Sequence, residues 1–297
     1  PWANQFIESM HNGFWTDKEF NFQSDIQDFK VNLTEQEREM VVRCLSAIGQ
    51  IEVAVKTFWA KLGENLPHPS LTDLGYVMAN VEVIHNNAYE RLIEVLEMED
   101  VFQKNLELDI IKNRVKYLRK YNHKYYKDSK KQYVYSLILF TMYVENVSLF
   151  SQFYTINYFN RFKNVLKDTA QQVAYTSKEE LIHSMVGIKL VNTIREEHPE
   201  LFDDELQGQV VEMLTEAVDC EMQFADEDKN VQQIATIHSN FNFHPQNTAI
   251  EVCTERRLSF HRCTKVVVPG MVKLWPKGEA YKLLELIKTK YYTLASY

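Results

Sequence analysis

The stretch Glu82-Val83-Ile84-His85-Asn86-Asn87-Ala88-Tyr89 decides how this chain is read, because its opening Glu-x-x-His returns at Glu180-Leu181-Ile182-His183. Residues three apart share a helix face, so each Glu and His pair can grip one ion. Each pair sits in a long stretch free of helix breakers. Each is also preceded by another apolar helix carrying a single Glu: Glu52 among Ile48, Ile51, Val53 and Val55, and Glu145 among Met142, Val144, Val147 and Leu149. A carboxylate buried without compensation costs several kcal/mol, so burial requires protonation, an ion pair or a metal. Few Lys or Arg lie at helical spacing from these four Glu. Two divalent cations would balance four carboxylates, with the imidazoles of His85 and His183 completing the coordination. Hard oxygen donors with two imidazoles suit iron or manganese, and the lack of thiolates in the set argues against structural zinc.

One Glu-x-x-His alone means little, and a third copy occurs at Glu8-Ser9-Met10-His11. It lies in the N-terminal segment with no companion Glu helix and is read as a decoy. His68, His123, His198, His238, His244 and His261 lack such company and are read as surface or structural residues. It is the register of two copies with two apolar-helix Glu residues that points to metal.

The surrounding sequence is that of an all-α protein. Its 297 residues contain 8 Gly and 7 Pro, 45% are hydrophobic, and no stretch alternates convincingly with period two. A formal charge of −8 argues against a general nucleic-acid binder, which needs clustered Lys and Arg. No segment approaches the ~20 apolar residues that span a bilayer. The apolar run from Val134 to Val144 leads straight into Glu145. No signal peptide is visible, and Cys44, Cys220, Cys253 and Cys263 show no C-x-x-C spacing, so a reduced cytoplasmic protein is the simplest reading.

Along the chain, residues 1–33 read as irregular. Thr34-Glu35-Gln36-Glu37 forms a capping box that opens a helix to about Leu62, where Gly63 and Pro67 stop it. Pro69-Ser70 opens the next helix, towards Met98. A charged helix is expected over about 101–121, a very apolar one over 131–162, and another over about 165–195 with Glu180 and His183. Residues 203–226 read as helix, 232–246 as a loop or broken helix, and 247–262 as helix. Pro269-Gly270 makes a turn, and 279–290 forms a short amphipathic helix. The order of a Glu helix and a Glu-x-x-His helix, repeated once, looks like a degenerate duplication, and one domain over 1–297 is expected.

Four carboxylates and two histidines so placed match the known ligand arrangement of ferritin-like helical bundles with di-iron or di-manganese carboxylate cores. More narrowly, Glu82-x-x-His85-x-x-x-Tyr89, with a Glu 30 residues upstream and Glu145 and Glu180-x-x-His183 downstream, resembles the small (β) subunit of class I ribonucleotide reductase. The similarity runs from Phe14-Trp15 to about Asn192. It implies metal ligands at Glu52, Glu82, His85, Glu145, Glu180 and His183. It implies a radical-bearing position at Tyr89, and an electron relay from a large catalytic (α) subunit through Trp15 and His85, linked by Glu179. The activity implied is thiyl formation on a cysteine of that partner, which reduces ribonucleoside diphosphates to deoxyribonucleotides for DNA synthesis. A homodimer is implied too. So is a C-terminal partner-binding tail, expected to be absent from a chain that stops at Tyr297.

Two positions depart from the family pattern: Glu52 stands where most members have Asp, and Glu179 where an Asp usually links Trp and His. The combination resembles the class Id subgroup, whose two Mn are oxidised with superoxide and keep the oxidising equivalent on the metals. Tyr89 would then be present without carrying a radical. Two Fe, or mixed Mn and Fe, are the alternatives. Tyr89 also has a plain reading as core packing one turn from a ligand, and Trp15 as an aromatic plug over the bundle end. The rival within the fold is a stand-alone dimetal oxidase or hydroxylase with a substrate cavity and no partner. A ferritin-like iron store would be a much shorter chain, and a purely structural scaffold would leave four buried Glu uncompensated.

Overall fold

The computed structural model describes residues 2–122 and 126–227. The expected loop at 232–246, helix at 247–262, turn at Pro269-Gly270 and helix at 279–290 lie outside the described residues. The described elements are α1 (Ala3–Asn12), α2 (Gln23–Gln27), α3 (Glu35–Ala60), α4 (Leu62–Asn65), α5 (Pro69–Val95), α6 (Glu99–Leu106), α7 (Asp109–Asn122), α8 (Ser129–Ile138), α9 (Phe150–Lys163), α10 (Lys167–Glu197) and α11 (Asp204–Glu227). No strand occurs among them. The described residues form two compact units: one from residues up to 112 with 152–186, the other from residues 113–151 with those from 187 to 227.

In the first unit α3 packs along α5. The α3 face that turns inward is Val41, Leu45, Ile48, Glu52, Val55 and Trp59, all 1% exposed or less. On α5 it is Gly75, Met78, Glu82, His85, Tyr89 and Leu92, equally buried. On α10 it is Thr169, Val173, Thr176, Glu180 and His183. All three series step by three and four residues, the spacing of a single apolar stripe. Six ionisable side chains, Tyr89 among them, therefore occupy positions that would ordinarily hold Leu or Val.

The starts of these helices follow from local sequence. Thr34 accepts from the Glu37 amide at 3.3 Å while the Glu37 carboxylate accepts from the Thr34 amide at 3.0 Å, closing the expected capping box. Pro69 sits in the first turn of α5, and His68 Nδ1 accepts from the Ser70 amide at 3.2 Å. Gly75 lets α5 approach closely, since a Cβ there would lie 2.7 Å from the Trp59 carbonyl oxygen. Glu97, at φ 56°, provides the left-handed residue that ends the helix.

In the second unit α11 packs on α8 and on the π-helical turn Leu139–Val144 that follows it. Arg114 donates to Glu221 at 2.7 Å with both side chains 1% exposed, and the Tyr143 hydroxyl donates to the Val210 carbonyl at 3.0 Å.

Three expectations are corrected. Residues 1–33 are largely helical: α1, a 3-10 turn at Asp17–Glu19, α2 and a π turn at Asp28–Asn32 are held by contacts to distant parts of the chain. The charged helix at 101–121 is two helices, with Asp109 supplying the acidic first turn of the second. The apolar helix at 131–162 breaks after Ile138, where an extra residue makes the Glu145 amide donate to the Phe140 carbonyl five residues back at 3.1 Å.

Candidate metal centre

The first unit brings Glu52, Glu82, His85 and Glu180 together, with one ligand atom of each within 4.8 Å of the others. His85 Nδ1 has three carboxylates around it: Glu180 Oε1 at 3.1 Å, Glu82 Oε2 at 3.2 Å and Glu52 Oε2 at 3.5 Å. His183 Nδ1 faces Glu82 Oε1 at 2.8 Å and Glu180 Oε2 at 3.0 Å. Glu82 and Glu180 thus each point one oxygen at either imidazole, and the two rings lie 6.4 Å apart. One imidazole nitrogen cannot donate to three acceptors. Donors held at about 2.1 Å from one ion and at right angles to each other lie about 3 Å apart, which is the spacing seen around both Nδ1 atoms. These side chains would suit divalent cations, and Glu82 and Glu180 each offer an oxygen on the side of either imidazole.

Burial is complete: Glu82, His85, Glu180 and His183 are 0% exposed and Glu52 is 1% exposed. The buried basic residues among the described ones, Arg114 and Lys131, are engaged by Glu221 and by Asp203 and Glu205 in the second unit. Burial and then repulsion from Glu82 push the Glu52 carboxyl well above the usual carboxylate range. Burial and Glu180 push Glu82 upward too, but the two imidazoles outweigh them and hold it below its ordinary value. Burial works against a charge on His85, yet Glu180, Glu179 and Glu52 outweigh it and raise that imidazole well above its usual value. A proton and a metal ion compete for the same electron pairs, so the same negative field that favours the proton favours a divalent cation.

Around this cluster, Glu179 is 5% exposed, and its Oε2 accepts from Trp15 Nε1 at 2.8 Å and partners His85 Nε2 at 2.7 Å. The Trp15 and His85 rings stack at 6.1 Å with 26° between their planes. One carboxylate oxygen therefore joins the indole to the ring whose other nitrogen faces the cluster. Tyr89, one turn beyond His85, is 1% exposed; burial first, and Glu52 next, raise its phenol pKa against the opposing Thr176 hydroxyl. Trp59 covers His183 at 5.9 Å. Glu145 belongs to the second unit, is 0% exposed and caps the π turn. The decoy pair Glu8 and His11 is helical but exposed on α1. Thr176 and Trp59 carry no sequence signal that singles them out, since each is one apolar-stripe position among many.

A family model described as ribonucleotide reductase, small chain, matches residues 1–242. The chain is 23% identical over 225 residues to the ribonucleoside-diphosphate reductase subunit beta of Halalkalibacterium halodurans, covering 74% of this chain and 64% of that one. It thus spans about two thirds of that relative's length, slightly under. Among solved structures it is similar to the ribonucleotide reductase R2 subunit from Clostridium botulinum, with TM-score 0.75 and 16% identity, covering 92% of this chain and 81% of that one. It is also similar to an R2-like ligand-binding oxidase with a reconstituted Mn/Fe cofactor, with TM-score 0.71 and 17% identity, covering 92% and 91%. At those identities the structures speak for the ferritin-like fold alone, while the family match covers most of the chain. By that match, and with a dinuclear carboxylate-histidine site built into its core, the chain belongs to the small-chain family of ribonucleotide reductase.

Proposed function

We propose that this chain is the radical-generating small subunit of a ribonucleoside-diphosphate reductase, acting with a large catalytic subunit. The single observation that carries the reading is the Glu179 oxygen shared by Trp15 and His85. A store or a scaffold needs no such link between its buried cluster and an aromatic ring of the N-terminal segment.

In this reading Glu52, Glu82, His85, Glu145, Glu180 and His183 hold two metal ions. Glu145 is included because, in the repeated pair of helices, it is the counterpart of Glu52. Four carboxylates then meet two divalent cations without residual charge. When bound, the metal pair supplies one-electron redox chemistry. Trp15 and His85 pass an electron inward from the large subunit, and Glu179 holds the proton between the two rings. The oxidised cysteine thiyl then forms in the large subunit, where ribonucleotides are reduced. The stripe residues Ile48, Val55 and Met78, all buried, keep the surroundings of the cluster apolar.

Two Mn are assigned to the site on the strength of Glu52, whose extra methylene relative to Asp lengthens the reach to the first ion. Tyr89 then keeps its phenolic proton and serves as packing. Exposed Tyr76 and Val83 on α5, with Leu181 and Met185 on α10, support a homodimer.

The test is to load the full chain with Mn(II) or Fe(II), oxidise it, and record the electron paramagnetic resonance spectrum and deoxynucleotide formation with and without a large subunit. A coupled dimanganese signal that persists in Tyr89→Phe, with turnover only when the large subunit is added, is expected. Turnover of an apolar substrate without a partner would instead establish the stand-alone oxidase.

A further inference from the structure

We propose that Asp25 is a positioning residue for Trp15: by clamping the N-terminal segment to the first turn of α10, it holds the indole on Glu179. The inference rests on the Trp15, Glu179 and His85 path proposed above.

The segment from Trp15 to Asp28 runs as a strap down the first half of α10, fastened at successive points. Trp15 bonds Glu179, and the Phe20 ring lies 5.8 Å from that of Tyr175. The Phe22 amide donates to Asp168 at 3.0 Å, and Asp28 accepts from the Leu166 amide at 2.9 Å. Between these, the buried Asp25 carboxylate gathers four donors: the Thr169 amide at 2.6 Å, the Thr169 hydroxyl at 2.7 Å, the Ser24 hydroxyl at 3.1 Å and the Asp168 amide at 3.2 Å. From Thr169 to Glu179 the helix rises about 15 Å, and the strap covers the same interval in the same number of residues.

A helix is ordinarily capped by the residue just before it. Here a residue 144 positions earlier does so, which makes the cap a tie between distant parts of the chain. The positive end of α10 offsets the buried negative charge of Asp25. Arg91 fastens the other side of the strap to the helix of His85, with its guanidinium bonded to the Asp17 carbonyl and 5.6 Å over the Phe22 ring. The strap, the helix of Glu179 and the helix of His85 are thereby locked in one register, and Asp25 is the buried charged point of that lock.

The test follows proton exchange of the Trp15 indole N–H by nitrogen-15 NMR in the full chain loaded with diamagnetic Zn(II), the signal being identified by its loss in Trp15→Phe. In Asp25→Ala exchange is expected to rise about tenfold or more, equivalent to losing about 1.4 kcal/mol. Asp25→Asn keeps an acceptor and should recover most of the protection. The control is Asp128→Ala, which removes the cap of α8, where Asp128 accepts from the Lys130 amide at 2.8 Å. It is expected to leave the Trp15 signal unmoved. Exchange within twofold of the parent in Asp25→Ala, or an equal rise in Asp128→Ala, overturns the proposal. Should Asp25→Ala not fold, Thr169→Val removes one donor and must shift exchange in the same direction. Unchanged turnover in Trp15→Phe would instead remove the electron path itself and leave the exchange result standing, so the two failures are distinct.

Discussion

Replacing Glu179 with Gln changes one atom and tests how the buried cluster is tuned. The Glu179 oxygen takes two charge-assisted hydrogen bonds, at 2.8 Å from Trp15 and 2.7 Å from His85, in a site 5% exposed. Bonds of that kind contribute about 1.5–3 kcal/mol each. Gln lacks the negative charge, so both bonds weaken, and its amide N–H groups find no acceptor at either ring. His85 loses the anion that fixes its ring and raises the basicity of Nδ1. Loss of such an orienting partner weakens metal affinity by about 10- to 100-fold, or about 1.4–2.8 kcal/mol. The assay is a Mn(II) titration against a competing chelator, in parent, Glu179→Gln and Glu179→Asp, with melting curves confirming that each variant is folded. The weakening should appear for one of the two ions, the one beside His85, whose ring Glu179 bonds. Affinity within twofold of the parent at both sites in a folded Glu179→Gln would refute the claim that Glu179 tunes the metal ligand.

Arg114→Met leaves Glu221 buried without its cation and should cost about 3–5 kcal/mol, while the double variant Arg114→Met with Glu221→Leu should recover most of it; chemical denaturation measures both. Gly187→Ala should destabilise the second unit by about 1–3 kcal/mol, because a Cβ there would run into the Thr141 side chain; thermal melts check it. Burial, with Glu221 adding to it, pushes the Cys220 thiol up to about 12. Above the ordinary thiol pKa, about 8.5, the unfolded chain ionises this group and the folded chain does not, so its contribution to stability is present below that pH and is lost as pH rises. Peptide-resolved alkylation at pH 8 should therefore label Cys220 about three orders of magnitude more slowly in the folded chain than in urea.

The gathering of Glu52, Glu82, His85, Glu180 and His183 was legible because these residues obey helical arithmetic. Glu82, His85 and Tyr89 step by three and four, Glu180 and His183 by three, and Glu52 stands alone in an apolar stripe; each pattern survives in one dimension. The capping box at Thr34 and Pro69 at the start of α5 are likewise local signals with local causes. The helices of the first 33 residues were not legible, because Asp25, Asp28 and Phe22 are held by partners around residues 166–169 that no local pattern announces. The break after Ile138 was hidden for a different reason: one extra residue in a uniformly apolar run leaves the composition unchanged, and Thr141 and Asn146 satisfy the disturbed carbonyls only once the chain is folded. The division of 101–121 into two helices turned on Asp109, a single acidic residue in a run already rich in charge.

The most direct measurement is anomalous diffraction at the manganese edge from crystals of the Mn(II)-loaded chain. Two peaks about 3.5–4 Å apart are expected, one beside Glu52 and His85 and one beside His183, with Glu82 and Glu180 reaching both. A single peak, or none among these side chains, would contradict a shared two-ion site.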